Sequence, residues 1–322
     1  MARPRNVTVV DHAPPPDSFR EAMLAGLARR RKSIPSKFIY DARGSKLFEA
    51  ILAAPEYYIP RVETALLAAH AAEIAALAGA GVALIEFGSG SSLKVRTLLD
   101  ALPAPAACVA VDISRAPLIA AAEALARDYP GLEAFAVCAD FTKPFPLPRP
   151  RARVGRRLGF FPGSTFGNLA PAEASAFLAR ARRMLAPDGA FVVGVDLRKD
   201  AEILAAAYND RGGASAAFNT NVLARANREL GADFDLSRFR HQAVYDRKRG
   251  RMHIGIESLG RQTVRVAGRA FAFAAGEVIR TQLSRKFTVA GFQAKARRAG
   301  FEPLRAWTDA ERLFSVHYLK AP

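Results

Sequence analysis

Cysteine is nearly absent from this chain: Cys108 and Cys138 are the only two in 322 residues. Both stand inside apolar runs, where a thiol behaves as a small buried hydrophobe, so neither a disulfide framework nor a metal site is expected. No uncharged apolar run reaches the roughly 18 residues that a membrane-spanning helix needs. The basic start, Met1-Ala2-Arg3-Pro4-Arg5-Asn6, is not followed by an apolar segment of the secretory kind. A cytoplasmic protein without a membrane contact is the expectation. Acidic residues are also in short supply, 30 against 47 Lys and Arg, for a net charge of +17. Such a surface attracts phosphates. The densest clusters, Arg29-Arg30-Arg31-Lys32 and the arginines of 149–157, nevertheless lack interleaved aromatics on which bases could stack. The expected partner is therefore a small molecule, not nucleic acid, and the expected state is a monomer.

What is present is apolar residue in quantity. At 50% hydrophobic composition the chain can fill two cores of ordinary size, given roughly 150 residues per domain. Residues 1–17, with Pro14-Pro15-Pro16, read as a flexible arm. Apolar positions at helical spacing predict helices over 19–27 and 45–52. Short apolar runs at 82–87, 108–112, 134–139, 158–161 and 190–195 then alternate with helical or loop segments, the pattern of a mostly parallel α/β sheet. Ser114 is placed to cap the helix after the second run, with Pro117 in its first turn. Beyond 197 the rhythm changes to helices followed by strands near 252–258, 262–266 and 270–273, and it returns after 287. The organisation expected is a Rossmann-like domain over 62–196 and 287–322, an inserted α+β lobe over 197–286, and N-terminal helices over 18–61 that pack with that lobe and roof the sheet's carboxyl edge.

The first strand of that pattern runs into Glu86-Phe87-Gly88-Ser89-Gly90, a turn whose glycines let the backbone approach a ligand. A dinucleotide site would use a third glycine, where this chain has Leu93 or Lys94. Glu86 suits a ligand with a positive centre better than a pyrophosphate. The next two strands end in Asp112, suited to ribose hydroxyls, and in Asp140-Phe141, suited to an adenine amino group and ring. Acids at three successive strand ends point to S-adenosylmethionine. The fourth strand leads into Gly163-Ser164-Thr165-Phe166-Gly167-Asn168-Leu169. There a neutral amide can hold a nucleophilic amine without supplying an acid that keeps it protonated; a Gly-Asn turn with no chemistry is the alternative.

From Lys37 to Ser315 the chain resembles the histidine N-alpha-methyltransferases of ergothioneine biosynthesis, which trimethylate histidine to hercynine. The resemblance is carried by Phe38-Ile39-Tyr40-Asp41-Ala42-Arg43-Gly44-Ser45, by Pro55-Glu56-Tyr57-Tyr58 with Arg61, and by the Gly163–Leu169 segment. It continues in Ala207-Tyr208-Asn209-Asp210, Ala217-Phe218-Asn219-Thr220-Asn221-Val222-Leu223, Asn227-Arg228-Glu229-Leu230, Gly276-Glu277 and Ser284-Arg285-Lys286-Phe287. It implies cofactor contacts at Tyr40, Gly88, Lys94, Asp112, Asp140 and Phe141. It implies contacts to the amino acid's amino and carboxylate groups at Tyr57, Asn168 and Tyr208, and to its side chain in the segment ending at Ser284. Two positions depart from the family. Gln282 stands where a glutamate is characteristic, and Ile254 aligns with a common pocket methionine. A glutamine loses the charge term a glutamate offers an imidazole. The substrate expected is thus L-histidine, with another amino acid such as tryptophan as an alternative. An RNA or protein methyltransferase is a second alternative, and a binding module without catalysis a third.

Overall fold

The computed structural model describes Pro4 and residues 6–12, 18–89 and 93–322. In chain order its elements are β1 (Val7–Asp11), α1 (Phe19–Leu27), α2 (Ala42–Ala53), α3 (Ile59–Ala78), β2 (Val82–Phe87), α4 (Leu93–Ala101), β3 (Ala107–Asp112), α5 (Arg115–Asp128), β4 (Glu133–Cys138), β5 (Arg156–Phe161), α6 (Pro171–Leu185) and β6 (Gly189–Asp196). They continue with α7 (Ala201–Tyr208), α8 (Ala214–Leu230), β7 (Phe239–Asp246), β8 (Arg251–Ser258), β9 (Gln262–Val266), β10 (Arg269–Phe273), β11 (Val278–Arg285), α9 (Val289–Arg298), β12 (Glu302–Thr308) and β13 (Phe314–Ala321). Two compact units result. Unit 1 comprises Met1–Pro15, Arg61–Arg198 and Phe287–Pro322; unit 2 comprises Pro16–Pro60 and Lys199–Lys286.

Unit 1 is a Rossmann-like sheet in the order β1-β4-β3-β2-β5-β6-β13-β12. Every pair from β1 to β6 is parallel, and β13 runs antiparallel to both β6 and β12. Strands β2 and β6 are buried at every residue, as strands covered on both faces must be. Phe87, Phe161, Phe177 and Phe191 interlock edge-on or tilted in one core. The chain steps outward from β2 through β3 to β4, then returns to lay β5 on the other side of β2. The β2/β5 junction is thus the topological switch point, where doubly wound sheets bind ligands beyond the strands' carboxyl ends.

Two local expectations for this unit need correction. Residues 7–11 are not part of a loose arm: Val7, Thr8, Val9 and Val10 pair in register with Ala134, Phe135, Ala136 and Val137 as an edge strand. Three of these four are valines and the fourth is also β-branched, a composition that favours a strand, whereas the proline run that suggested an arm lies outside the described residues. Ser114 does stand at the N-cap of α5, yet its hydroxyl makes no capping bond. Instead Asp112 Oδ1 accepts the Ser114 N–H at 2.8 Å. The twenty-residue α3 gave no clear stripe in the sequence, because alanine and leucine surround it on most sides.

Unit 2 is built around an antiparallel sheet ordered β11-β8-β7, with β9 and β10 as a separate hairpin. The periodicity reading passed over β7 and β11. Along β8, Met252, Ile254 and Ile256 are buried while Arg251, His253 and Glu257 are not, the alternation of a half-covered strand. Phe19, Met23, Ile39, Ile51, Phe218, Val222 and Ile279 join α1, α2, α8 and β11 in one apolar core. Asp41 ties three segments together as the N-cap of α2. It accepts from Gly44 N at 2.7 Å, from Asn221 Nδ2 at 2.7 Å and from Arg228 Nη2 at 2.5 Å. Burial pushes the Asp41 carboxyl up, but these donors outweigh it and hold it below the usual range.

Candidate active site

At the carboxyl end of β2, Glu86 is fully buried and accepts the Ser89 hydroxyl at 2.8 Å. Burial pushes its carboxyl up to about 7, with the Ser89 bond and Lys94 pulling the other way. Gly88 has φ +73°, and both its N–H and that of Ser89 bond to the Val111 carbonyl, which fixes the turn against β3. Gly90 lies outside the described residues. Asp112, raised by burial, has one oxygen on Ser114 N, and Asp140 Oδ1 accepts from Thr142 N at 2.9 Å. Both acids therefore also hold their own turns. The Phe141 ring lies beside the glycine turn, 3.7 Å from where a Cβ on Gly88 would stand, and edge-on to Phe161 and Phe177. A buried carboxyl poised near neutrality, two further strand-end acids and an aromatic face around a bare glycine turn form a donor set that fits S-adenosylmethionine.

Lys94 begins this site's second layer. Its ammonium pairs with Glu63, a carboxylate buried on α3 whose two oxygens also accept the Gly163 N–H at 2.8 and 2.9 Å. One carboxylate thus links the helix after the glycine turn to the loop that carries Asn168. Gly194 on β6 makes room for it, since a Cβ there would lie 2.1 Å from Glu63 Oε1. Glu63 was not legible in the sequence, because nothing marks one acid in an alanine-rich helix. Asn168 ends the short 3-10 turn Thr165–Asn168 and is exposed.

Unit 2 has its own cavity, whose walls include Tyr57, Tyr208, Phe218, His241, Ile254 and Gln282. The Tyr57 and Tyr208 rings meet edge-on at 6.0 Å. Tyr208, the last residue of α7, donates its hydroxyl to Ser284 Oγ at 2.9 Å. Lys286, buried to 3% exposure, donates to the Tyr208 hydroxyl at 2.7 Å and to Ser284 Oγ at 3.0 Å. On the opposite side His241 is held by both nitrogens. A carbonyl only accepts, so Nε2 carries the proton to Tyr208 O at 2.9 Å, and Nδ1 accepts from Asn219 Nδ2 at 3.0 Å. Asn219 in turn donates to Gly255 O and accepts from Thr281 Oγ1, which fixes its amide orientation. Burial lowers the His241 pKa and keeps the ring neutral.

Of the residues expected from the sequence, Glu86, Gly88, Lys94, Asp112, Asp140, Phe141 and Asn168 belong to unit 1, on strand ends or in the loop, helix or 3-10 turn that follows them. Tyr57, Tyr208, Ile254 and Gln282 share the unit 2 cavity, with Ser284 bonded to Tyr208. Tyr40 also belongs to unit 2, edge-on to Phe48 and Phe218. His241 and Lys286 were missed. Lys286 stood in a recognised motif without a role; His241 stood in none. Beside the β-strands' amino ends of unit 1, a larger cavity of about 550 Å³ among Ala104, Tyr129, Pro130 and Arg153 holds none of the expected residues. Among the described residues no helix is long and apolar enough to cross a membrane, and no cluster of three metal-ligating side chains occurs.

Residues 19–321 match the family described as histidine-specific, S-adenosylmethionine-dependent methyltransferases. The chain is 42% identical over 299 residues to a histidine N-alpha-methyltransferase of Mycolicibacterium smegmatis, covering 91% of this chain and 92% of the relative. It is 41% identical over 298 residues to the enzyme of the same name from Mycobacterium tuberculosis, covering 91% of each. More distantly, it is 28% identical over 303 residues to ergothioneine biosynthesis protein 1 of Neurospora crassa, covering 89% of this chain and 33% of that one. This chain belongs to the S-adenosylmethionine-dependent histidine-specific methyltransferase family.

Proposed function

We propose that the enzyme transfers methyl groups to the α-amino nitrogen of free L-histidine, in repeated steps that end at the trimethylated product. The observation that carries this reading is the unit 2 cavity, which Tyr57, Tyr208 and the Gln282 amide line together with the apolar Phe48, Ile51, Phe218 and Ile254. The near-full-length similarity to relatives named for this reaction supports it. S-adenosylmethionine, when bound, supplies an electrophilic methyl group on a sulfonium. Glu86, Gly88, Lys94, Asp112, Asp140, Phe141 and Tyr40 are the residues assigned to hold it.

Tyr57 and Tyr208 orient the substrate's amino and carboxylate groups. Asn168 holds the amine through a neutral amide, which does not compete to protonate it. His241 cannot serve as the base, because its Nδ1 already accepts from Asn219 and its Nε2–H is committed to a carbonyl. The ammonium proton of the substrate therefore leaves to water, and the residues act by positioning and by excluding water. Turnover should rise with pH toward the amine pKa. A calorimetric panel of free amino acids in the presence of S-adenosylhomocysteine tests substrate identity, and mass spectrometry of the product counts the methyl groups. Tight binding of a different amino acid, with histidine neither bound nor methylated, overturns the reading.

A further inference from the structure

The loop that carries Asn168 begins with a strained turn. Gly163 and Ser164 follow one another in the left-handed region, at φ +81° and +59°, and a serine adopts that conformation only at a cost. Two partners outside the loop hold the turn in place. The Ser164 hydroxyl accepts the Asp196 N–H of β6 at 3.0 Å, and the Glu63 carboxylate straddles the Gly163 N–H with its oxygens at 2.8 and 2.9 Å. From there Asn168 is one short turn away, closed by the Gly167 N–H on Ser164 O at 2.9 Å. The same carboxylate pairs with Lys94 at the start of α4. Lys94 in turn is close enough to Glu86 to pull that carboxyl down against the larger push of burial. Glu63 is fully buried, in space that any side chain at position 194 would take. A buried carboxylate is costly unless its oxygens find donors, and this one divides them between two segments to which the proposed function gives different ligands.

We propose that Glu63 is a positioning residue for methyl transfer, holding the Asn168 turn and Lys94 in one fixed arrangement so that the acceptor side and the donor side of the reaction are set by a single carboxylate. The inference rests on the proposed function in giving Asn168 to the amine and Lys94 to the cofactor. In a reaction run by positioning, a misplacement of about 1 Å can cost on the order of 10²-fold in rate. A glutamine at 63 would keep the shape, but it offers one acceptor oxygen instead of two and removes the charge that faces Lys94.

The test measures kcat at saturating S-adenosylmethionine, with histidine or whichever free amino acid the parent methylates, and S-adenosylhomocysteine affinity by calorimetry. The proteins are the parent, Glu63→Gln, Asn168→Ala, Lys94→Met and the two double variants that pair Glu63→Gln with each of the others. In Glu63→Gln, kcat should fall at least tenfold and S-adenosylhomocysteine affinity at least threefold. The kcat loss should largely vanish where Asn168 is already alanine, and the affinity loss where Lys94 is already methionine, because the carboxylate acts through those two side chains. A general loosening of the fold would instead lower each readout by the same factor in every background. That additive result overturns the proposal, as does a Glu63→Gln kcat within threefold of the parent's. Should Glu63→Gln not fold, Glu63→Asp decides. It keeps the charge for Lys94 but draws back from Gly163, so kcat should fall at least tenfold with affinity within threefold, and a parent-like kcat overturns the proposal. The same coupling found with another amino acid, in a parent that leaves histidine unmethylated, overturns the substrate reading and leaves this one standing. Additive effects on histidine turnover do the reverse.

Discussion

Unit 1 ends its strands in carboxylates: Glu86, Asp112 and Asp140, with Glu63 behind them. Unit 2 lines its cavity with hydroxyls, an amide and a neutral imidazole; Lys286 bonds the Tyr208 hydroxyl, and the Asp210 carboxylate bonds Ser215. On the proposed assignments, unit 1 meets its ligand with acids and unit 2 meets its ligand with mostly neutral polar groups. An acidic floor suits a donor that carries sulfonium and ammonium groups. The division is also one of rigidity. In unit 1 Asp112 and Asp140 accept backbone N–H groups of their own turns, whereas in unit 2 Tyr208, Ser284 and Lys286 bond one another and His241 leans on Asn219. Substitution in unit 2 should therefore spread further from its origin.

Four measurements would break or sharpen that contrast, beginning with the largest effect. Asn168→Ala should lower kcat/KM for histidine by about 10²–10³-fold, the cost of losing one placed polar group in a reaction run by positioning, with S-adenosylhomocysteine affinity within threefold of the parent. A loss confined to cofactor affinity would move Asn168 from the acceptor's side to the donor's. Gly194→Ala should destabilise the fold by about 1–3 kcal/mol, since the new methyl overlaps the Glu63 carboxylate, and a thermal melt equal to the parent's would show that this carboxylate is free to move.

Gln282→Glu should lower the KM for histidine about tenfold by giving the imidazole N–H a charged acceptor. A histidine KM no better than the parent's would mean that the side-chain end of the cavity lies elsewhere. The smallest effect belongs to Glu86. Its carboxyl is raised to about 7 by burial, so the folded protein holds a proton that the unfolded chain has released above its ordinary value of 4.5. That contribution to stability is complete below 4.5 and is lost as pH rises through 7. The α-ammonium of S-adenosylhomocysteine favours the ionised form, so its affinity should rise by up to about tenfold per pH unit below 7 and level off above it. Glu86→Gln should flatten that profile in titration calorimetry, and a slope that survives the substitution would assign it to another group.

The legibility of the two units differs for the same physical reason. Unit 1 could be read because a parallel strand buried on both faces is an unbroken apolar run, and a polar residue that ends such a run stands out: Glu86 by interrupting β2, Asp112 and Asp140 by closing β3 and β4. Its edge strand, Val7–Asp11, is too short to set a period of its own beside the Pro14-Pro15-Pro16 run. In unit 2 the strand alternation gave β8 to β10, but β7 and β11 mix buried with exposed residues too irregularly to show a period. Tyr57, Tyr208, Ser284 and Gln282 were found through family motifs, not through their own chemistry. His241 and Lys286 owe their states to partners 22 to 78 residues away, through Asn219 for the first and Tyr208 for the second. No local pattern encodes such partners.

The knot at Asp41 has a consequence for how this family can diversify. Much of the shared sequence, Asp41 with Gly44, Asn221 and Arg228, is spent on clamping α2 to α8, while Ile254 and Gln282 sit on strands outside that clamp. On the proposed reading of the cavity, Ile254 and Gln282 face the substrate from strands that make none of the clamp's bonds, and Asn219 is the strut that joins those strands to α8 through Gly255 and Thr281. A recoded pocket would keep the clamp only as long as that strut is kept.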